Sequence, residues 1–186
     1  TMETRGLLAE WDAANGHLTV TGLTKVVFHN RRILAKQMGL AEDAITMIEA
    51  DVGGGFGVRG EFYPEDFLIP FAARKLNCAV KWIEDRRENL LAAGKSRREA
   101  ADVRIALDGD GVIQAVGIDF TSDCGAYPSP WPVGVAAAVG MLFPGPYRVP
   151  HGAFSTKCVY TNTSGRAAYR GPWQFETLAR EVLIDI

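Results

Sequence analysis

Apolar and polar positions along this chain switch between two periods. Leu18 and Val20 flank a polar threonine, the alternation of a short strand. From Val27 the spacing becomes helical, with Val27, Leu34 and Met38 on one face and Gly39 as a C-terminal stop. Ala44 to Val52 reads as a second strand that runs straight into a cluster of glycines. Pro64, followed by Glu65 and Asp66, predicts a helix start with acids at the positive end of its dipole. Phe67, Leu68, Phe71, Ala72 and Leu76 would form its apolar face, with Arg74 and Lys75 at its negative end. Pro70 conflicts with that helix, because an interior proline removes a hydrogen bond and crowds the preceding turn.

Period two returns at Val80–Ile83, followed by a charged run from Glu84 to Glu88. Val103, Ile105 and Leu107 alternate, Asp108-Gly-Asp-Gly111 turns the chain, and Val116, Ile118 and Phe120 alternate back, which predicts a long hairpin. The turn lacks the further ligands of a calcium loop. Tyr127 to Pro150 is rich in proline and glycine around a short helix at Val133–Met141. A strand at Phe154–Tyr160, a polar loop at Gly165–Trp173 and a helix at Phe175–Leu183 complete the chain. The expected fold class is α+β, a mixed sheet with packed helices. Both ends read as cuts through a larger protein, so residues 1–186 are expected to form a single fragment of it.

Composition narrows the function classes. The 186 residues are 47% apolar, enough for a real core, and the net charge of −2 argues against a nucleic-acid binder. Arg31-Arg32 and Lys95-Ser-Arg97-Arg98 read as solvated basic faces. No apolar run approaches the roughly 18–20 residues of a membrane span, and no signal-peptide pattern opens the chain. Cys78, Cys124 and Cys158 are odd in number and widely spaced, which fits reduced thiols in the cytoplasm. His17, His29 and His151 have no metal-ligand spacing, and no metal-ligating residue is expected.

Three constellations carry candidate chemistry. The first is Asp51-Val-Gly-Gly-Gly-Phe-Gly-Val-Arg59. Its glycines let backbone N–H groups approach an anion, and Phe56 adds one flat ring, which suits a pocket for an anionic cofactor and a planar substrate. Two other readings stand beside it. Gly55–Gly60 formally satisfies a dinucleotide fingerprint, with Glu84 at the distance of a ribose-binding acid. Against that reading, Pro64 starts the helix too far beyond the glycines. The glycines could also be a plain tight turn. The second constellation is Ala168-Tyr-Arg170-Gly-Pro172, an always-charged planar group on a short loop, suited to a surface ion pair or to negative charge in a transition state. The third, Asp123-Cys-Gly-Ala-Tyr127, reads as a packing turn, and no histidine lies near Cys124 in sequence to activate it.

Taken in order, Asp51–Arg59, Val80–Arg86, Asp123–Tyr127, Gly145–Pro150 and Ala168–Pro172 resemble one family. It is the molybdopterin-binding large subunit of the molybdenum hydroxylases, which includes xanthine dehydrogenase, aldehyde oxidase and aerobic carbon monoxide dehydrogenase. The resemblance runs from about Leu18 to the end. It implies a molybdenum–pyranopterin cofactor, often a cytosine dinucleotide in bacteria, with Gly54, Gly55, Phe56 and Gly57 beside it and the Phe56 ring flanking substrate. It implies that Arg170 faces the substrate, and that an aldehyde or N-heterocycle is hydroxylated with water as oxygen source. Implied partners are the rest of the molybdenum subunit, iron–sulfur and FAD subunits or domains, and a small-molecule substrate, with neither nucleic acid nor membrane.

The residues depart from that family at three places. Lys25 stands where the family commonly has a cofactor-bonding glutamine; lysine donates but cannot accept. Gly60 stands where xanthine dehydrogenases carry a substrate-binding glutamate, which argues against a purine. Gly171 stands where carbon monoxide dehydrogenases hold copper through a cysteine, which argues against a copper–molybdenum site. The family's catalytic base and most pterin contacts lie in later segments, so the resemblance implies an N-terminal part of the cofactor domain, inactive alone. A nicotinamide-binding domain using Gly55–Gly60 and a non-catalytic interaction module are the competing expectations.

Overall fold

The computed structural model describes residues 1–22, 26–128, 132–171 and 174–186. They form two compact units, Thr1–Ala93 and Gly94–Ile186.

The first unit is built on a four-stranded sheet of order β3-β2-β1-β4. Strands β1 (Gly6–Asp12) and β2 (His17–Gly22) pair antiparallel. The Asp12 carboxylate accepts from the Ala14 and Asn15 amides at 2.9 and 3.2 Å and so closes the turn between them. From β2 the chain reaches helix α1 (Val27–Met38) and returns as β3 (Ile45–Glu49), parallel to β2. A parallel pair needs such a crossover. Gly39 ends α1 in the left-handed conformation at φ 64°, the stop that the sequence predicts. Leu7, Ala9, Leu18 and Val20 pack against Leu34 and Met38 of α1.

Three expectations need correction in this unit. Strand β1 is not among the elements that the sequence pattern predicts. Its short alternation gives little periodic signal, and its burial comes from its place inside the sheet. Strand β3 stops at Glu49, three residues short of Val52. Helix α2 (Pro64–Leu76) exists, but its buried positions are Pro70 and Ala73, with Phe67 and Ile69 packed partly against the core. Leu68, Phe71 and Leu76 are 52, 43 and 65% exposed. The helix is apolar around most of its girth, so the sheet and not the pattern selects the buried side. Pro70 is tolerated because its ring is fully buried, which offsets the missing backbone bond.

Strand β4 (Val80–Ile83) pairs antiparallel with β1 and leads into α3 (Arg86–Ala92), which the sequence expectation left as a charged run. Asp85 caps α3 by accepting from the Glu88 amide at 2.8 Å, while Glu88 accepts from the Asp85 amide at 2.9 Å. Leu90 and Leu91 are 77 and 71% exposed, so α3 has no buried stripe to announce it.

The second unit has a three-stranded sheet of order β5-β6-β7. Strands β5 (Glu99–Leu107) and β6 (Ile113–Asp123) form the predicted hairpin, and Asp108 closes its turn by accepting from the Asp110 and Val112 amides. Helix α4 (Pro132–Leu142) precedes β7 (His151–Val159), which pairs parallel with β6 and begins three residues before the expected Phe154. Helix α5 (Gln174–Ile184) ends the chain. Val116, Ile118 and Phe120 of β6 pack against Ala136 and Val139 of α4, with the Phe175 ring 5.6 Å from that of Phe120. Mixed parallel and antiparallel sheets with helices packed on them are the expected α+β class. Among the described residues, no helix is long and apolar enough to cross a membrane.

Candidate functional site

The glycine loop leaves the carboxyl end of β3, beside the end of β2, where Ala50 N–H donates to Gly22 O at 3.4 Å. Parallel pairing of β2 and β3 thus places Gly22 and Glu49 side by side at one end of the sheet. Lys25, expected at the cofactor, lies outside the described residues.

Within the loop, Gly54, Phe56 and Gly57 have φ of 96, 49 and 100°. A Cβ at Gly54 would stand 2.7 Å from the Phe56 ring, so the ring is folded back over the bare glycine. Phe56 itself is a non-glycine residue held at positive φ and left 50% exposed. Such a strained, exposed aromatic marks a place that the fold over-determines. Gly55 behaves differently. Its φ is not in the left-handed region, and the nearest atom to an added Cβ is Arg59 Cβ at 3.9 Å. Among the described residues, no steric contact requires glycine there. The open side of Gly55 and the backbone N–H groups of Gly54 and Gly55, which meet no acceptor among the described residues, fit a group brought close from outside.

Arg59 holds this loop, a role that sequence reasoning missed. Its side chain is 2% exposed and donates to Glu3 Oε2 at 2.8 Å and to the Glu3 and Thr4 carbonyls at 2.7 and 2.8 Å. The same Glu3 oxygen accepts from Gly53 N–H at 2.6 Å. The Gly53 hydrogen bond and the Arg59 guanidinium hold the Glu3 carboxyl below the usual glutamate value, against a smaller opposing push from burial. A short 3-10 turn, Val58–Gly60, carries Arg59 inward, and α2 begins only at Pro64.

This geometry removes the dinucleotide reading. The helix does not start at the glycines, so its dipole is not aimed at them. Strands β3 and β4 lie at opposite edges of the sheet. Glu84 is 1% exposed and grips Arg5, accepting from its Nε and Nη2 at 3.0 and 2.6 Å. Burial raises the Glu84 pKa, but hydrogen bonds from Arg5 and Asn89 outweigh it, and the carboxyl titrates below the usual value. Glu84 is a structural anion with no capacity left for a ribose.

Arg170 sits in the second unit, exposed, at φ 53°, followed by Gly171 at φ 77°. The base of its loop is a two-way backbone bridge: Lys95 N–H to Gly165 O and Ala167 N–H to Lys95 O, each 2.9 Å. Arg166 and Glu99 form a buried ion pair beside it, with side chains 4 and 0% exposed. The stretch Lys95–Arg98, expected as a solvated face, is largely engaged. Lys95 Nζ donates to Asp123 Oδ2 at 2.9 Å and bonds Thr163, and Arg97 reaches the Arg170 loop; of the three basic residues only Arg98 is well exposed, at 69%. Pro172, the last residue of the motif, lies outside the described residues.

The Asp123–Tyr127 segment is the packing turn expected of it. Asp123 accepts from Thr161 Oγ1 at 2.6 Å and from Gly125 N–H at 2.8 Å. The Thr161 bond comes first among the causes that hold Asp123 down to about 2, with Lys95 and the Gly125 amide adding to it against burial. Burial, with Cys158 beside it, pushes the Cys124 thiol up to about 11, the opposite of what a nucleophile needs. Gly54, Gly55, Phe56 and Gly57 therefore share one loop of the first unit, and Arg170 belongs to the second.

The sequence profile of the molybdopterin cofactor-binding domain matches residues 1–186. The chain is 36% identical over 187 residues to the gamma subunit of the 6-hydroxypseudooxynicotine dehydrogenase complex of Paenarthrobacter nicotinovorans. It is 34% identical over 188 residues to the nicotine 6-hydroxylase large subunit of the same organism. These alignments take in 100 and 99% of this chain but 23% of each relative. Quinoline 2-oxidoreductase from Pseudomonas putida 86 superposes with a TM-score of 0.91 at 35% identity, covering 99% of this chain and 24% of that one. The chain spans about a quarter of the length of the relatives it matches. With the profile matched end to end and the fold shared at this identity, the chain belongs to the molybdopterin cofactor-binding domain family of the molybdenum hydroxylase large subunits.

Proposed function

We propose that residues 1–186 are the N-terminal part of the molybdenum cofactor-binding domain of a catalytic subunit that hydroxylates an aldehyde or N-heterocycle, with water as oxygen source. The observation that carries this reading is Gly55. Among the described residues no steric contact requires this glycine, the Gly54 and Gly55 N–H groups meet no acceptor, and the one aromatic ring of the loop is exposed. The names of the relatives, nicotine 6-hydroxylase and quinoline 2-oxidoreductase, favour the N-heterocycle.

When bound, a molybdenum–pyranopterin, in its plain or cytosine dinucleotide form, would supply two-electron oxidation of substrate. The chain's own residues do the rest. Gly54 and Gly55 present N–H donors to an anionic oxygen, and Gly57 with Gly54 allows the backbone to approach closely. Phe56 offers a flat apolar face to a planar ring. Arg170 supplies a permanent positive charge for negative charge that develops on the substrate. Lys25, in this reading, adds a second cation on the cofactor side. Electrons leave through iron–sulfur and FAD partners, and Cys78, Cys124 and Cys158, none of them in a disulfide, fit assembly in the cytoplasm. At about a quarter of the length of its relatives, the chain alone is inactive.

The test is elemental and pterin analysis of the chain co-produced with the remainder of its reading frame and supplied with molybdate. About one molybdenum per complex, with pterin and cytidine monophosphate on acid extraction, is expected. A folded complex without either sinks the reading. Turnover of quinoline by the isolated 186 residues would sink the claim that they are inactive alone.

A further inference from the structure

We propose that Arg97 is a positioning residue that sets the backbone of Arg170, and through it the direction in which the Arg170 side chain leaves the loop. The use of that direction rests on the substrate-facing role proposed for Arg170; the positioning itself does not. Arg97 Nη2 donates to three successive carbonyls, Tyr169 O at 2.8 Å, Arg170 O at 3.1 Å and Gly171 O at 2.5 Å. One nitrogen carries two hydrogens, so these bonds are shared between neighbouring acceptors.

The choice of carbonyls is what matters. Tyr169 O belongs to the peptide plane before the Arg170 Cα, and Arg170 O belongs to the plane after it. Fixing both planes fixes φ and ψ of Arg170, and with them its Cα–Cβ direction. That conformation is one an arginine does not choose, at φ 53°, and it costs an L-residue with a side chain an unfavourable contact. Charge-assisted bonds from a guanidinium offset that cost. Arg97 is itself anchored. It lies between Lys95, bridged to Gly165 and Ala167, and Glu99, ion-paired with Arg166. Both anchors join the start of β5 to the segment that leads into the loop, so Arg97 is delivered to the loop by fixed structure on either side.

The experiment uses the full-length subunit with its native partners and reads amide hydrogen exchange at residues 168–171. Arg97→Met should raise exchange there at least tenfold and leave β5 and β6 unchanged. The same change on an Arg170→Gly background should raise it less than threefold, because glycine takes positive φ without help. A merely structural arginine would give the same increase in both backgrounds, and that result, or no increase at all, overturns the proposal. With quinoline as probe and a dye acceptor, Arg97→Met should lower kcat at least tenfold with KM within twofold. A loss confined to KM would overturn the link to Arg170. A wild-type complex that holds no molybdenum and leaves quinoline untouched would sink the proposed function, while the exchange cycle would still decide the role of Arg97.

Discussion

The glycine loop and the arginine loop are each held by one arginine, and the two holds differ in kind. Arg59 is buried, pairs with the Glu3 carboxylate and takes two further carbonyls. Arg97 is half-buried and, among the described residues, binds carbonyls alone. A guanidinium taken out of water needs an opposite charge, whereas one at the surface keeps part of its hydration and can act through dipoles. The difference matches what each loop must do. The glycine loop has little side-chain mass of its own, so its shape comes from an ion pair and from Glu3 gripping Gly53. The arginine loop needs one residue held in one conformation, and three carbonyls achieve that.

The largest test of this contrast is deletion of the two arginines. Arg59→Ala should cost the first unit about 2–3 kcal/mol in denaturant unfolding, against about 1 kcal/mol for Arg97→Ala in the second. Equal costs would break the comparison. The glycines come next. Gly54→Ala meets the Phe56 ring at positive φ and should cost about 1–3 kcal/mol, whereas Gly55→Ala should stay within about 0.5 kcal/mol. Gly55→Ala should nevertheless lower molybdenum occupancy of the complex, which separates a ligand's requirement from the fold's. In the other loop, Arg170→Gly should stabilise the second unit by about 0.5–1 kcal/mol by relieving its left-handed strain, while abolishing turnover. A destabilised Arg170→Gly would show that the side chain, not the backbone, holds the loop.

Two effects of pH have opposite signs, at Asp66 in the first unit and at Asp123 in the second. Asp66 caps α2 by accepting from the Tyr63 amide at 2.7 Å, yet burial raises its pKa to about 7. A carboxyl raised above its unfolded value near 3.8 gives stability that is complete below that value and lost as pH rises through 7. Asp66→Asn should remove that loss. Asp123, held down to about 2, gives stability that is complete above 3.8 and lost as pH falls through 2. Unfolding followed by a probe in each unit should therefore show the Asp66 contribution lost toward neutral pH and the Asp123 contribution lost in strong acid.

The candidate site was legible where chemistry depends on residue type. The bare glycines, the one aromatic among them and the arginine beside a glycine all announce themselves in order. The residues that hold these loops did not. Arg59 lies inside the motif with nothing in its spacing to mark it as an anchor, and Arg97 lies in a run that reads as a solvated basic face. Nothing in sequence tells a guanidinium that will meet carbonyls some 70 residues away from one that will meet water. Helix α3 was a different kind of miss, since Asp85 and Glu88 have the spacing of a capping box that could have marked its start.

By itself the sequence determined what local rules decide: the span of α1 between its apolar stripe and Gly39, the start of α2 at Pro64, the turn at Asp108–Gly111, and which loops are candidates to carry chemistry. Only the tertiary structure decided that Gly6–Asp12 is a central strand, which face of α2 is buried, that Glu84 pairs with Arg5, and that Arg97 serves Arg170. Those outcomes depend on pairing and burial between residues far apart in the chain. Periodicity and turn chemistry act over a few residues, but a buried charge or a strand's place in a sheet is fixed by whichever distant groups the fold brings to it.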